Sequence, residues 1–186
     1  MSNLLASLPL RWVVAIVAFA VGGYVGHLVG GPAATVPAAL ISGLIAGGFI
    51  GFAQGLALRL SVNELAIWTA VTGVGLAISL AAVTAVIGQI ETTGEAMLLG
   101  ATSGLIIGIG QAAIMVRKAM ANAWLLVPAT VAAWSVGWFV TSSIGVALAA
   151  GWPVYGLSGA LVSQLITGAA LWALLRRAGS TAPALA

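Results

Sequence analysis

The chain has 186 residues, 62% apolar and 5% charged, where a soluble domain carries roughly a quarter of its residues as charges. Six basic and three acidic residues do not cover a soluble surface of this size, and cations so scattered form no stripe for nucleic acid despite the net charge of +3. No cysteine is present, which excludes disulfides, thiolate catalysis and Cys-based metal sites.

Six apolar segments follow one another, at about Trp12–Gly30, Pro37–Leu58, Ala66–Gly88, Ala96–Val116, Ala123–Ala149 and Val154–Leu175. Each approaches or exceeds the roughly 18 residues that cross a bilayer. Single strands leave their backbone unsatisfied in lipid, so the expected fold is all-α, a polytopic membrane protein of six transmembrane helices. Gly30-Gly31-Pro32 ends the first segment, Ser61 to Glu64 the second, and Gly151-Trp152-Pro153 separates the last two. Ser61 or Asn63 offers a cap for the third helix, and Thr92-Thr93-Gly94-Glu95 for the fourth. Pro128, early in the fifth segment, marks a place where that helix would kink or break.

Arg11, Arg59, Arg117, Lys118, Arg176 and Arg177 all fall at one end of these segments, and His27, Glu91 and Glu95 at the other. The positive-inside rule then places both termini in the cytoplasm. Trp12, Trp68 and Trp124 recur every 56 residues at the cytoplasmic start of an odd helix, where interfacial anchoring is the simplest role.

The second segment carries a glycine every fourth residue, at Gly43, Gly47, Gly51 and Gly55, with Gln54 beside the last. At about 100° per residue the first three and Gln54 share one helix face. The pattern returns 57 positions on as Gly100, Gly104, Gly108 and Gln111, and a further offset of 56 aligns Thr102 with Ser158, Gln111 with Thr167 and Ala112 with Gly168. One membrane domain, 1–186, therefore reads as three tandem helical hairpins, at about 11–60, 61–118 and 119–177, with a short tail at 178–186. Two crossings per unit make the repeats parallel, related by an approximate three-fold axis along the membrane normal. Arg11 before a short apolar run and Ala33-Ala34 after it resemble a cleavable leader, but removing the first helix would leave the second without its hairpin partner.

Small residues every fourth position let backbones approach closely, which is how helices associate where lipid is as apolar as leucine. Gly43, Gly47, Gly51, Gly100, Gly104 and Gly108 are accordingly read as packing positions. Small faces also run through the third helix (Gly73, Ala77, Ala81, Ala85) and the fifth (Ala129, Ala133, Gly137, Thr141, Gly145). Gln54, Gln111 and Thr167 lie five to nine residues before a basic residue. That is roughly 8–14 Å inside the cytoplasmic end at 1.5 Å per residue. Around a three-fold axis they would form a polar constriction, or each would bond a neighbouring helix. Gln164 has no amide counterpart, since Gly51 and Gly108 stand at its equivalent positions.

His27, the single histidine, follows Gly22, Gly23, Tyr24 and Gly26. It is the candidate ligand for a haem or chlorin, or else an interfacial side chain bonded to water or headgroups. Glu64 is placed to pair with Arg59. Glu91 and Glu95 favour the positive end of the fourth helix, and two carboxylates alone make a poor cation site. No Asp, Lys or Glu lies inside a segment, no histidine is placed to activate a serine, and no phosphate loop or zinc signature occurs, so no enzyme chemistry is expected.

Helices of the form G-x-x-x-G-x-x-Q-x-x-x-L-R, each followed by a helix opening with tryptophan, resemble those of a loose group of multi-pass bacterial membrane proteins without assigned activity. Gly47, Gly51, Gln54, Leu58 and Arg59 match the whole pattern. Gly104, Gly108 and Gln111 match its first part, with Met115 and Val116 in place of Leu and Arg, and Thr167 stands in place of a third Gln. The resemblance implies a bacterial inner-membrane protein and no activity.

Three functional expectations follow. The first is an accessory or scaffold subunit of a membrane complex, packing through its glycine-rich faces against other subunits or itself. The second is a small-solute or ion channel or transporter along the pseudo-three-fold axis. The third is a protein binding pigment, haem, quinone or lipid.

Overall fold

A computed structural model describes residues 2–145 and 157–180. They form α1 (Ser2–Val14), α2 (Val17–Gly30), α3 (Val36–Ala57), α4 (Val62–Ile87), α5 (Thr93–Arg117), a 3₁₀ turn at Ala123–Leu125, α6 (Leu126–Ser143) and α7 (Leu157–Ser180). No strand occurs among the described residues. Among the described residues six helical stretches are long and apolar enough to cross a membrane, the first being Leu8–Gly30, made from α1 and α2. The chain is an all-α, multi-pass membrane protein. The expected break at Gly151-Trp152-Pro153 lies outside the described residues.

The helix ends are set by local chemistry. Thr35 Oγ1 accepts the Ala38 N–H at 3.4 Å at the start of α3. The Glu64 carboxylate accepts both the N–H and the O–H of Ser61, each at 2.9 Å, opening α4 from Ser61, with Asn63 already inside the helix. At α5, Thr92 Oγ1 accepts the Glu95 N–H at 3.2 Å while Glu95 Oε2 accepts the N–H groups of Glu91 and Thr92 at 2.9 Å. Glu95 is thus the acidic half of a capping box, a role more local than cation attraction.

α3 and α5 also end alike. Arg59 and Ala119 each take a left-handed conformation, φ 55°, just past the helix. Around them Leu60 N–H reaches Gly55 O (3.1 Å) and Met120 N–H reaches Met115 O (3.1 Å). The paired bonds Arg59 N–H to Leu56 O (3.0 Å) and Ala119 N–H to Val116 O (2.9 Å) complete the same cap twice. Pro128 lies in the first turn of α6, just after the 3₁₀ turn, where its missing N–H costs no bond within α6.

Successive helices pack side by side from α2 to α7, and α1 packs on α7 and on α3, which closes the bundle into a ring. The glycine stripes make the seams between units. A Cβ on Gly43, Gly47 or Gly51 would meet the α4 backbone, lying 2.7 Å from Ala77 Cα, 2.6 Å from Thr72 O and 2.9 Å from Thr69 Cα respectively. On Gly100, Gly104 and Gly108 it would meet α6, at 2.6 Å from Trp134 O, 2.5 Å from Thr130 O and 3.1 Å from Val127 Cα. The last seam, α7 to α1, is built differently: a Cβ on Gly168 would lie 2.6 Å from Cδ1 of the Trp12 ring.

Candidate functional site

The first span is broken at Ala15–Ile16. In a continuous helix the Ile16 N–H would bond Trp12 O, four residues back. It turns instead to Val13 O at 3.0 Å, and Ala18 and Phe19 bond three residues back as well, to Ala15 O and Ile16 O at 3.1 and 3.0 Å. The Trp12 carbonyl is left inside the bundle, where an unsatisfied backbone group costs several kcal/mol. Gln164 of α7, 1% exposed, donates to it from Nε2 at 3.2 Å. A side chain inserted into the helical ladder is one of the recognised causes of a break, and none of the residues from Arg11 to Phe19 is proline or glycine.

The other end of the Gln164 amide joins a wider network. Its Oε1 accepts from Gln54 Nε2 at 3.0 Å. Gln54 Oε1 in turn accepts from Gln111 Nε2 at 3.2 Å and from the Trp68 indole N–H at 3.4 Å. Gln111 Nε2 also donates to Thr72 Oγ1 at 3.2 Å, and the Thr72 hydroxyl donates to Trp68 O at 2.9 Å. One turn past Gln164, Thr167 Oγ1 accepts the Trp12 indole N–H at 3.3 Å and donates to Ser163 O at 2.8 Å. All of these side chains are buried, with Trp68 and Thr72 fully inaccessible. Around them pack Leu8, Ala57, Ala112, Met115, Leu126, Leu171 and Leu174. Polar groups from α3, α5 and α7 therefore meet inside the bundle towards its arginine-bearing end, tied by tryptophans from α1 and α4.

This arrangement corrects two expectations, the tryptophan anchors and the partner of Glu64, while Gln54, Gln111 and Thr167 each bond a neighbouring helix, one of the two arrangements expected of them. Gln54 and Gln111 do meet, but the third amide is Gln164; Thr167 bonds Trp12 and contributes no hydrogen bond to either glutamine. Trp12 (2% exposed) and Trp68 (0%) are buried donors rather than interfacial anchors, and only Trp124, at 55%, has the exposure that role implies. Glu64 pairs with Lys118 at 2.6 Å, not with Arg59, linking the start of α4 to the end of α5.

Sequence reasoning passed over Gln164, Trp12, Trp68 and Thr72 as members of one cluster. Spacing carried a usable signal, because Gln164 and Thr167 are three apart and Trp68 and Thr72 four apart, so each pair shares a helix face. His27 lies half-buried in the last turn of α2, at the end of the bundle opposite the amides. Among the described residues no three His, Cys, Asp or Glu side chains come together as a metal site.

Smaller polar contacts lie elsewhere in the interior. Ser79 Oγ and Ser103 Oγ lie 2.8 Å apart across α4 and α5, and the Ser42 hydroxyl lies within reach of Gly26 O (3.1 Å) and Gly31 O (3.2 Å). Chemically the arrangement offers neutral donors and acceptors spent largely on one another, with no ionisable group within the network. Comparison with protein-family models, with curated proteins and with solved structures found no match.

Proposed function

We propose that the chain is a non-enzymatic integral membrane protein of the bacterial inner membrane, with both termini in the cytoplasm, serving as an accessory or scaffold subunit of a membrane complex. The observation that carries this reading is the mutual engagement of the amide cluster: Gln54, Gln111, Gln164 and Thr167 are hydrogen-bonded by Trp12, Trp68, Thr72 and each other. Such a network fixes the relative position of helices, which is what a scaffold requires. Both glycine stripes are occupied within the chain, so the surface left for a partner is aliphatic and aromatic. Phe49, Phe52 and Leu56 on α3 and Val136 and Phe139 on α6 are exposed there. The collection of all six cations at one end supports the orientation.

Purification in mild detergent, with the protein mass measured by light scattering and co-purifying chains identified by mass spectrometry, tests the reading. A stoichiometric membrane companion or a defined self-association is expected. A stable monomer without companions would contradict it. An absorption spectrum of the same sample addresses pigment or haem at His27, and the scaffold reading expects no visible band.

A second reading, passage of a small solute along the bundle axis, draws on the meeting of amides from three alternate spans at one place. Flux through reconstituted vesicles, abolished by Gln54→Leu with Gln111→Leu, would favour it over the scaffold. Flux unchanged by that double substitution would remove these amides as its constriction.

A further inference from the structure

The Trp12 carbonyl can be served by either of two donors. In the interrupted span it accepts from Gln164 Nε2 at 3.2 Å, while the Ile16 N–H bonds Val13 O at 3.0 Å. In a continuous helix the Ile16 N–H would itself reach Trp12 O, four residues back. The Ala18 and Phe19 N–H groups, now on Ala15 O and Ile16 O, would move back to Val14 O and Ala15 O. No proline or glycine between Arg11 and Phe19 opposes that rearrangement. One hydrogen bond replaces another at the same carbonyl, so neither arrangement strands it in the membrane interior.

The interruption also marks a change of neighbour. α1 packs mainly on α7, and α2 mainly on α3. The α3–α4 and α5–α6 seams bring backbones together at glycine, whereas α1 meets α7 through side chains. There the Trp12 ring lies against Gly168, and its indole N–H donates to Thr167 Oγ1 at 3.3 Å. Lipid is as apolar as leucine, so parting such a helix from its neighbour carries little hydrophobic penalty. The bonds of Trp12 to Gln164 and Thr167 then weigh heavily in holding α1 down.

We propose that the first span is a two-state switch in which Gln164 and the Ile16 N–H compete for Trp12 O. In one state the span is interrupted at Ala15–Ile16 and α1 lies on α7. In the other it is continuous, and α1 swings off α7 while α2 stays on α3. The second state opens the ring at its side-chain seam and uncovers Gln164 and Thr167.

The chain has no cysteine, so nitroxides can be placed at Leu10→Cys on α1 and Ala173→Cys on α7, both exposed. Double electron–electron resonance on the full chain in nanodiscs then reads their separation, and two populations are expected. Gln164→Leu removes the donor that only the interrupted state uses. It should raise the ratio of longer to shorter separations at least about threefold, the shift that one hydrogen bond between membrane helices supports. Ile16→Pro should do the reverse. Ile16 already has φ −57°, which proline adopts, whereas in a continuous helix the proline ring would clash with Trp12 O. A single separation shared by the parent and both variants would overturn the proposal, as would a longer population that Ile16→Pro leaves intact. Labels at Leu44→Cys on α3 and Leu105→Cys on α5 should keep one separation throughout. If Gln164→Leu broadens that reference it has misfolded, and the parent and Ile16→Pro decide between the two outcomes.

Discussion

Gln164 Nε2 lies 3.2 Å from Trp12 O, the carbonyl that the break at Ala15–Ile16 releases from its own helix. A buried side chain of the last span thus supplies the hydrogen bond that the first span does not make for itself. The same amide reaches Gln54 at 3.0 Å, so the irregular first span is held to the centre of the bundle and the ring is closed.

Gln164→Leu leaves both the Trp12 carbonyl and the Gln54 amide nitrogen short of a buried partner. The expected loss is about 1–3 kcal/mol, the usual penalty for stranding buried polar groups. Reversible unfolding in mixed micelles measures it. A variant as stable as the parent would mean that the carbonyl finds another donor.

Adjacent glycines of α3 should respond with opposite sign. A Cβ at Gly47 would sit 2.6 Å from Thr72 O and 2.8 Å from Gly73 Cα, whereas at Gly48 nothing lies within 4 Å. Gly47→Ala forces two backbones apart and should cost about 1–3 kcal/mol. Gly48→Ala removes only the flexibility of glycine in a helix and should gain up to about 1 kcal/mol. Equal effects in the same unfolding assay would contradict the packing of α3 on α4.

Ala119 closes α5 in a left-handed conformation, φ 55°, that its Cβ disfavours. Ala119→Gly relieves that conflict without touching the capping bonds, and should stabilise by about 1 kcal/mol. A loss of stability would show that α5 does not end in this cap.

Tryptophans that look equivalent in the repeat should differ when cut back. Trp68→Phe keeps an aromatic ring but removes both the N–H that Gln54 Oε1 accepts at 3.4 Å and part of a fully buried indole, with an expected cost of about 1–3 kcal/mol. Trp124, 55% exposed, should lose less than about 0.5 kcal/mol on the same change. The reverse order would mean that interfacial anchoring outweighs the internal bond.

The spans and turns were legible in the sequence because lipid imposes length, apolarity and closed backbone bonding together. The glycine stripes were legible for the same reason: only small residues permit the approach of Gly47 to Gly73 or of Gly104 to Thr130. The polar network was half legible. Gln54 and Gln111 stood out as repeated amides, but the break at Ala15–Ile16 has no proline or glycine to mark it, so the need for Gln164 was hidden. Trp12 and Trp68 were misplaced because tryptophan near the end of a span serves equally as an interfacial anchor or a buried donor. Only the neighbouring helix decides between them.

The central claim is that the amides of α3 and α7 bond each other inside the bundle, and a double-mutant cycle on Gln54 and Gln164 tests it most directly. With Gln54→Leu, Gln164→Leu and the pair compared in one unfolding assay, the contact at 3.0 Å predicts a coupling of about 0.6–1.7 kcal/mol. Strictly additive effects of the two substitutions would contradict the contact and, with it, the closure of the ring through Gln164.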